Sequence, residues 1–110
     1  MADDCIFCRI AEGRTDTEIL HEDDQLVVFA DIRPHAPVHL LVVPKRHIRS
    51  VNDLTPKDAP LVAHLIDAAK KMAVRQGIAR SGYKLLFNVE SGGGQVIFHL
   101  HLHLLGGWGR

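Results

Sequence analysis

The chain has 110 residues, 46% of them hydrophobic, enough for one core that buries roughly two-thirds of the unfolded surface and no second core. Its 13 basic and 13 acidic residues balance, so no electrostatic footprint for duplex nucleic acid is present. No apolar run approaches the ~20 residues of a membrane span, and the acidic start Met1-Ala2-Asp3-Asp4 is unlike a signal peptide, so the expectation is one soluble domain, residues 1–110, in the cytoplasm.

In chain order, Ile6 to Ala11 reads as a short helix closed by Gly13. Glu18 to His21 and Leu26 to Ala30 read as strands, joined as a hairpin by the polar turn Glu22-Asp23-Asp24. Leu40 to Val43 is an apolar, β-branched run stopped by Pro44, hence a buried strand. Thr55-Pro56-Lys57-Asp58 supplies an N-cap, a proline at the first helical position and an early acid; Leu61, Leu65, Ala68, Ala69 and Met72 follow at helical spacing until Gly77. That helix, Pro56 to Gln76, carries a second apolar strip, Val62, Ile66 and Ala73, beyond the one its own core needs. Lys84 to Val89 and Phe98 to Leu105 supply two further strands. The fold class is therefore α+β: roughly five mainly antiparallel strands, one long helix and a short N-terminal helix.

The last predicted strand carries the chemistry. Side chains alternate across a strand, so His99, His101 and His103 fall in one row about 7 Å apart, with Leu100, Leu102 and Leu104 in a core behind. Neighbouring imidazoles perturb one another near neutral pH, which suits a nucleophile beside an acid; it also suits a catalytic zinc shell with water in the fourth position. Just upstream, Ser91-Gly92-Gly93-Gly94-Gln95 can turn several backbone N–H groups toward one point and cradle an anion beside the histidine row.

Asn88, Gly93-Gly94-Gln95 and His99-Leu100-His101-Leu102-His103-Leu104-Leu105-Gly106-Gly107 together resemble the histidine-triad (HIT) superfamily, nearest its Hint branch of nucleotide-binding phosphoramidases. The resemblance extends over Cys5-Ile6-Phe7-Cys8-Arg9-Ile10, Val28 to Ile32, Pro34 to Pro37 and His39 to Ile48. It implies that His101 attacks the α-phosphorus of a purine nucleotide and forms a nucleotidyl-imidazole that water then hydrolyses. His103 would face the phosphate oxygens and, if protonated, neutralise developing charge, with His39 as the fourth histidine of the pocket. Asn88 and Gln95 would bond phosphate oxygens, backed by the Gly93 and Gly94 amides. Asp31 would take the ribose hydroxyls, and Ile6, Phe7, Ile10 and Ile32 would wall the base; each fits plain core equally well, and Ile10 fits core better.

The same resemblance implies a structural zinc on Cys5, Cys8, His47 and His99 and no organic cofactor. Two thiolates and two imidazoles make a closed tetrahedral shell, which would pin the N-terminus without catalysing anything. The alternative is two free, half-buried thiols with His47 in a solvated basic patch. Family dimers pair through the long helix and a sheet edge, and the Val62, Ile66, Ala73 strip fits that expectation.

Two departures bear on substrate choice. Val96 stands where the Hint pattern has a serine that assists the leaving amine, and the end Gly107-Trp108-Gly109-Arg110 is shorter than in relatives whose tail reaches the partner's pocket. Three functions stay open: hydrolysis of nucleoside phosphoramidates, Fhit-like hydrolysis of dinucleoside polyphosphates, and nucleotide binding with incidental turnover. His21, His35 and His64 have no motif context and read as surface residues.

Overall fold

The computed structural model describes residues 4–109; the acidic start Met1 to Asp3 and Arg110 lie outside them. Helix α1 spans Ile6–Ala11 and helix α2 spans Ala59–Arg75. Strands β1 (His21–Glu22), β2 (Leu26–Ala30), β3 (Val38–Pro44), β4 (Tyr83–Leu86) and β5 (Leu102–Gly106) form one sheet. The order is β1-β2-β3-β5-β4, and every pairing is antiparallel.

Period-two alternation gives the sheet two faces, each with its own core. Leu26, Val28, Leu40, Val42, Leu102 and Leu104 face α2, which buries Leu61, Leu65, Ala68, Ala69, Met72 and Ala73 against them. Leu65 and Ala69 are fully buried, and truncating Leu65 to Ala would cost about 2–5 kcal/mol. On the opposite face Val27, Phe29, Leu41 and Val43 pack under Phe7, Ile10 and Ala11 of α1. That helix has only 6 residues, so it covers only part of the second face.

Local signals explain the element ends. Asp23 Oδ1 accepts the Gln25 and Leu26 N–H groups at 2.8 and 3.0 Å, which turns β1 into β2. The Thr55 N–H donates to Asp58 Oδ2 at 2.9 Å and caps a 3₁₀ turn, Pro56–Asp58, that leads into α2. Gly106 is required by close approach, since a Cβ there would meet Ile78 Cδ1 at 2.7 Å.

Four expectations need correction. The first strand is not Glu18–His21 but His21–Glu22; only the Leu20 N–H reaches β2, donating to the Val28 carbonyl at 2.8 Å. β4 ends at Leu86 rather than Val89, because the chain leaves the sheet edge for the glycine loop. β5 begins at Leu102, so Phe98 to His101 lie outside the ladder: pairing with β3 stops at Val42, and the preceding segment bonds instead to the chain beyond Pro44. The histidine row survives, because the segment stays aligned through Leu100 N–H to the Ile48 carbonyl (2.6 Å) and His99 Nε2 to the Pro44 carbonyl (2.8 Å). Last, Ala73 is fully buried in the chain's own core, so the outward strip of α2 reduces to Val62 and Ile66, the latter 40% exposed.

Candidate active site

Where α1 leaves the second sheet face uncovered, a cavity of about 850 Å³ opens. Its floor is His39, Leu41, His101, His103 and Leu105, and Asn88 and Gly94 stand at one side. Register places these groups: His103 lies directly opposite Leu41, and His39 directly opposite Leu105.

Carbonyls and backbone N–H groups fix the proton on each imidazole, because each can play only one hydrogen-bonding role. The His35 backbone N–H donates to His39 Nδ1 at 3.1 Å, so His39 carries its proton on Nε2. His39 Nε2–H in turn donates to His103 Nδ1 at 2.9 Å, leaving the His103 proton on Nε2. His101 donates Nδ1–H to the His99 carbonyl at 2.7 Å, which leaves Nε2 with a free lone pair. Asn88 Nδ2 lies 3.5 Å from His103 Nε2, so an amide and an imidazole donor stand side by side in the cavity that His101 also lines.

Burial lowers the pKa of His39 and His101 and, with the neighbouring His101 and His39 charges, pushes His103 down to about 4. All three are neutral near pH 7. The sequence reading allowed a protonated His103; in the folded chain it is instead a neutral N–H donor.

Asp31 Oδ2 sits 3.5 Å from His39 Nε2, and Asp31, His39 and His103 are close enough to suggest a two-histidine, one-carboxylate metal site. The tautomers oppose it: His39 Nε2 bears a proton and His103 Nδ1 is already accepting it. Asp31 Oδ1 accepts the Arg33 N–H at 2.8 Å, a turn that holds the carboxylate at the cavity rim.

Of the residues read as base walls, Ile6, Phe7, Ile10 and Ile32 all line the cavity. Phe7 and Ile10 are buried, and Phe7 sets its ring edge-on to His101 with centroids 5.0 Å apart. Ile32 is 91% exposed at the mouth, an apolar surface with nothing yet against it. Val96, 80% exposed, and Trp108 also face the cavity, and Lys84 Nζ stands 5.7 Å from the Trp108 ring centroid.

The glycine loop departs from its reading. Gln95 is buried, and its amide is engaged by the chain itself: Oε1 accepts the Glu90 N–H at 2.7 Å, while Nε2 donates to the Arg49 and Ile97 carbonyls at 2.8 and 3.0 Å. Gln95 braces the loop from behind rather than facing the cavity. Gly93 is also set back, whereas Gly94, at φ +89, lies against the Asn88 amide and lines the cavity.

Residues expected at the surface also have partners: His35 is exposed, and His21 and His64 are half-buried. His35 stands at the cavity mouth, its ring 5.7 Å from that of His39, and its backbone N–H sets the His39 tautomer. No side-chain pattern announces a backbone donor, so only the turn after Asp31 could have hinted at it. His64 pairs with Asp23 at 2.7 Å, with His21 3.7 Å from the same carboxylate oxygen.

Beside the cavity, Cys5, Cys8, His47 and His99 bring four donor atoms within 4.8 Å of one another. Cys5 Sγ to His99 Nδ1 is 3.3 Å, Cys8 Sγ to His47 Nδ1 is 3.2 Å and His47 Nδ1 to His99 Nδ1 is 3.2 Å. A tetrahedron with bonds of about 2.0 Å to nitrogen and 2.3 Å to sulfur has edges of about 3.3–3.8 Å, so the cluster can hold a metal ion. His99 Nε2–H, held by the Pro44 carbonyl, aims the Nδ1 lone pair into the cluster, an outer contact typical of metal-bound histidine. In the metal-free chain burial, aided by Cys5, pushes the Cys8 thiol up to about 11, so metal uptake there would release a proton.

Residues 4–107 match the family model described as "Scavenger mRNA decapping enzyme C-term binding". The chain is 39% identical over 107 residues to the purine nucleoside phosphoramidase of Escherichia coli (strain K12), covering 97% of this chain and 90% of that protein. Among solved structures, it superposes with a TM-score of 0.91 and 49% identity on a HIT family hydrolase from Legionella pneumophila Philadelphia 1, covering 96% of this chain and 93% of the other. A histidine triad protein from Clostridium difficile gives a TM-score of 0.93 and 40% identity, with 97% and 93% covered.

Proposed function

The chain belongs to the histidine-triad (HIT) family, and on that premise we propose that it hydrolyses purine nucleoside phosphoramidates through a nucleotidyl intermediate on His101. The observation that carries this reading is the His101 Nδ1–H bond to the His99 carbonyl, which leaves a neutral imidazole with Nε2 as its nucleophilic atom. His101 Nε2 attacks the α-phosphorus; the phosphorus–nitrogen bond to the leaving amine breaks, and the amine takes a proton from solvent at the open mouth. Water then attacks the same phosphorus, the bond to His101 breaks, and the nucleoside monophosphate leaves with one proton released to solvent. His103 Nε2–H and the Asn88 amide donate to the phosphoryl oxygens as charge builds there, and His39 keeps the His103 proton on the correct nitrogen.

The remaining roles follow the same reading. Asp31 takes the ribose at the rim, the base lies between Ile32 and the Ile6–Phe7 wall, and Gly94 contributes to the phosphate side. Zinc on Cys5, Cys8, His47 and His99 ties α1 to the histidine strand, and it would be structural because the four protein donors close its shell. The chain acts as one HIT domain over residues 1–110 in a homodimer, and its two unpaired thiols suit the reducing cytoplasm. No helix among the described residues is long and apolar enough to cross a membrane.

A second reading is favoured by one observation. Val96 offers no proton to a departing amine, whereas a phosphate leaves as a stable anion, so the same His101 adduct could serve dinucleoside polyphosphates. Rates measured with an adenosine phosphoramidate and with a diadenosine polyphosphate discriminate the two. Faster turnover of the phosphoramidate supports the first reading; turnover of the polyphosphate alone replaces it with the second, and turnover of neither leaves nucleotide binding.

A further inference from the structure

Glu90 is the one residue other than glycine with a positive φ, +59°, among the described residues, and it opens the loop that carries Gly94. A side chain in that region is strained, so the surrounding structure must hold it there. Every polar group of Glu90 is engaged. Its carboxylate takes Arg49 Nη2–H at 2.9 Å on Oε1 and Nε–H at 3.1 Å on Oε2, and Ser50 Oγ–H at 2.7 Å. Its N–H donates to Gln95 Oε1 at 2.7 Å, and its carbonyl accepts the Gly93 and Gln95 N–H groups, both at 3.0 Å.

Rotation of Glu90 to an ordinary negative φ would swing its N–H off Gln95 and disperse the carbonyl contacts that close the Ser91–Gly93 turn. The anchor is half-exposed at Arg49 and buried at Ser50. Ser50 caps the Val51–Asp53 turn, and the Arg49 guanidinium lies 4.3 Å from the Phe98 ring centroid. Arg49 also follows His47 of the metal cluster by two residues, so one strap joins the segment carrying that ligand to the loop beside the nucleophile.

We propose that the Arg49–Glu90 ion pair is a positioning device: it holds Glu90 in its strained conformation and thereby sets Asn88 and Gly94 against His103, where the phosphate of the nucleotide binds. The inference rests on the nucleotide reading of that cavity for its effect on binding, and on the loop geometry alone for its effect on order. Glycine takes a positive φ freely, so a chain with glycine at position 90 would not need the strap.

The test uses the full-length chain as Arg49→Ala, Glu90→Gly and the double variant. Amide hydrogen exchange at Gly93 and Gln95 is read by NMR with the Val42 and Leu104 amides as controls for global folding, and AMP affinity is read by calorimetry. Arg49→Ala should speed exchange at Gly93 and Gln95 about tenfold and weaken AMP about tenfold with the control amides unchanged, while Glu90→Gly alone stays within about twofold of wild type. The double variant should recover both readouts. Unchanged loop exchange in Arg49→Ala, or a double variant no better than Arg49→Ala, overturns the proposal. Should Arg49→Ala not fold, Arg49→Lys keeps the charge but loses the two-pronged contact; faster exchange at the same two amides supports the strap and unchanged exchange overturns it. Wild-type chain that fails to bind AMP refutes the nucleotide reading, while the exchange arm still decides the strap.

Discussion

His101 donates its Nδ1–H to the backbone carbonyl of His99 across 2.7 Å, and that one bond decides which nitrogen of the central histidine is free to react. A carbonyl only accepts, so neither tautomer exchange nor a metal on Nδ1 is compatible with it. His99 is fixed the same way by Pro44, but with the opposite nitrogen free, and so faces the cysteines instead of the cavity.

This arrangement predicts an acid limb in the rate that lies below the ordinary histidine range. Burial lowers the pKa of His101 and takes His103 to about 4 from its ordinary 6.5, and turnover needs both neutral. The acid limb of log kcat/KM should therefore begin below the ordinary histidine value of 6.5, with the His103 step near 4. Stability moves in the same direction. The unfolded chain binds these protons near 6.5 and the folded chain only near 4 for His103, so stability is full above 6.5 and is lost as pH falls through that window. Loss of activity already complete at pH 6 would show that the imidazoles are not held neutral by the fold.

Metal removal separates structure from chemistry. Elemental analysis should find about one zinc per chain, and Cys5→Ser or Cys8→Ser should lose it and lower Tm by roughly 10 °C or more. Stripping zinc with activity lost and Tm unchanged would make the metal catalytic.

Assembly is read from mass. Scattering or sedimentation at micromolar concentration should give twice the 12.2 kDa of one chain, and Ile66→Glu should shift the population toward monomer. Ile66 is 40% exposed on the face of α2 turned away from its own sheet, where a glutamate costs the monomer little. A wild-type chain that runs as a monomer contradicts the dimer.

Position 96 tests leaving-group chemistry. Val96→Ser should raise turnover of a phosphoramidate with an alkylamine leaving group by about tenfold while leaving a diadenosine polyphosphate within about twofold. Equal acceleration of both substrates would mean that the hydroxyl acts on binding rather than on the departing group.

The fold was legible where short-range signals agree. Leu26 to Ala30 has the β2 boundaries found in the structure, and the Leu61-Leu65-Met72 spacing located α2, although the Thr55 cap opens the 3₁₀ turn ahead of it rather than α2 itself. Strand ends were not legible, because β5 starts where its pairing with β3 stops at Val42, and pairing partners are a tertiary property. In the site, the alternating histidines and the Cys5-x-x-Cys8 pair carry their spacing openly. Gln95 and His35 do not: one is turned inward by backbone groups of Arg49 and Ile97, and the other contributes its main chain to His39. Glu90 is the least legible, since a positive φ is foreseen at glycine and here falls on a residue held by Arg49.

The covalent adduct on His101 is the central claim, and mass spectrometry of enzyme quenched in base during turnover of an adenosine phosphoramidate tests it directly, because a phosphorus–nitrogen bond to imidazole is labile in acid. The account predicts an adenylyl mass on the peptide containing His101, absent from His101→Ala, which should lose about 10⁴-fold in kcat while still binding AMP. A wild-type chain that turns over without any such adduct, or a His101→Ala chain that keeps its rate, would contradict it.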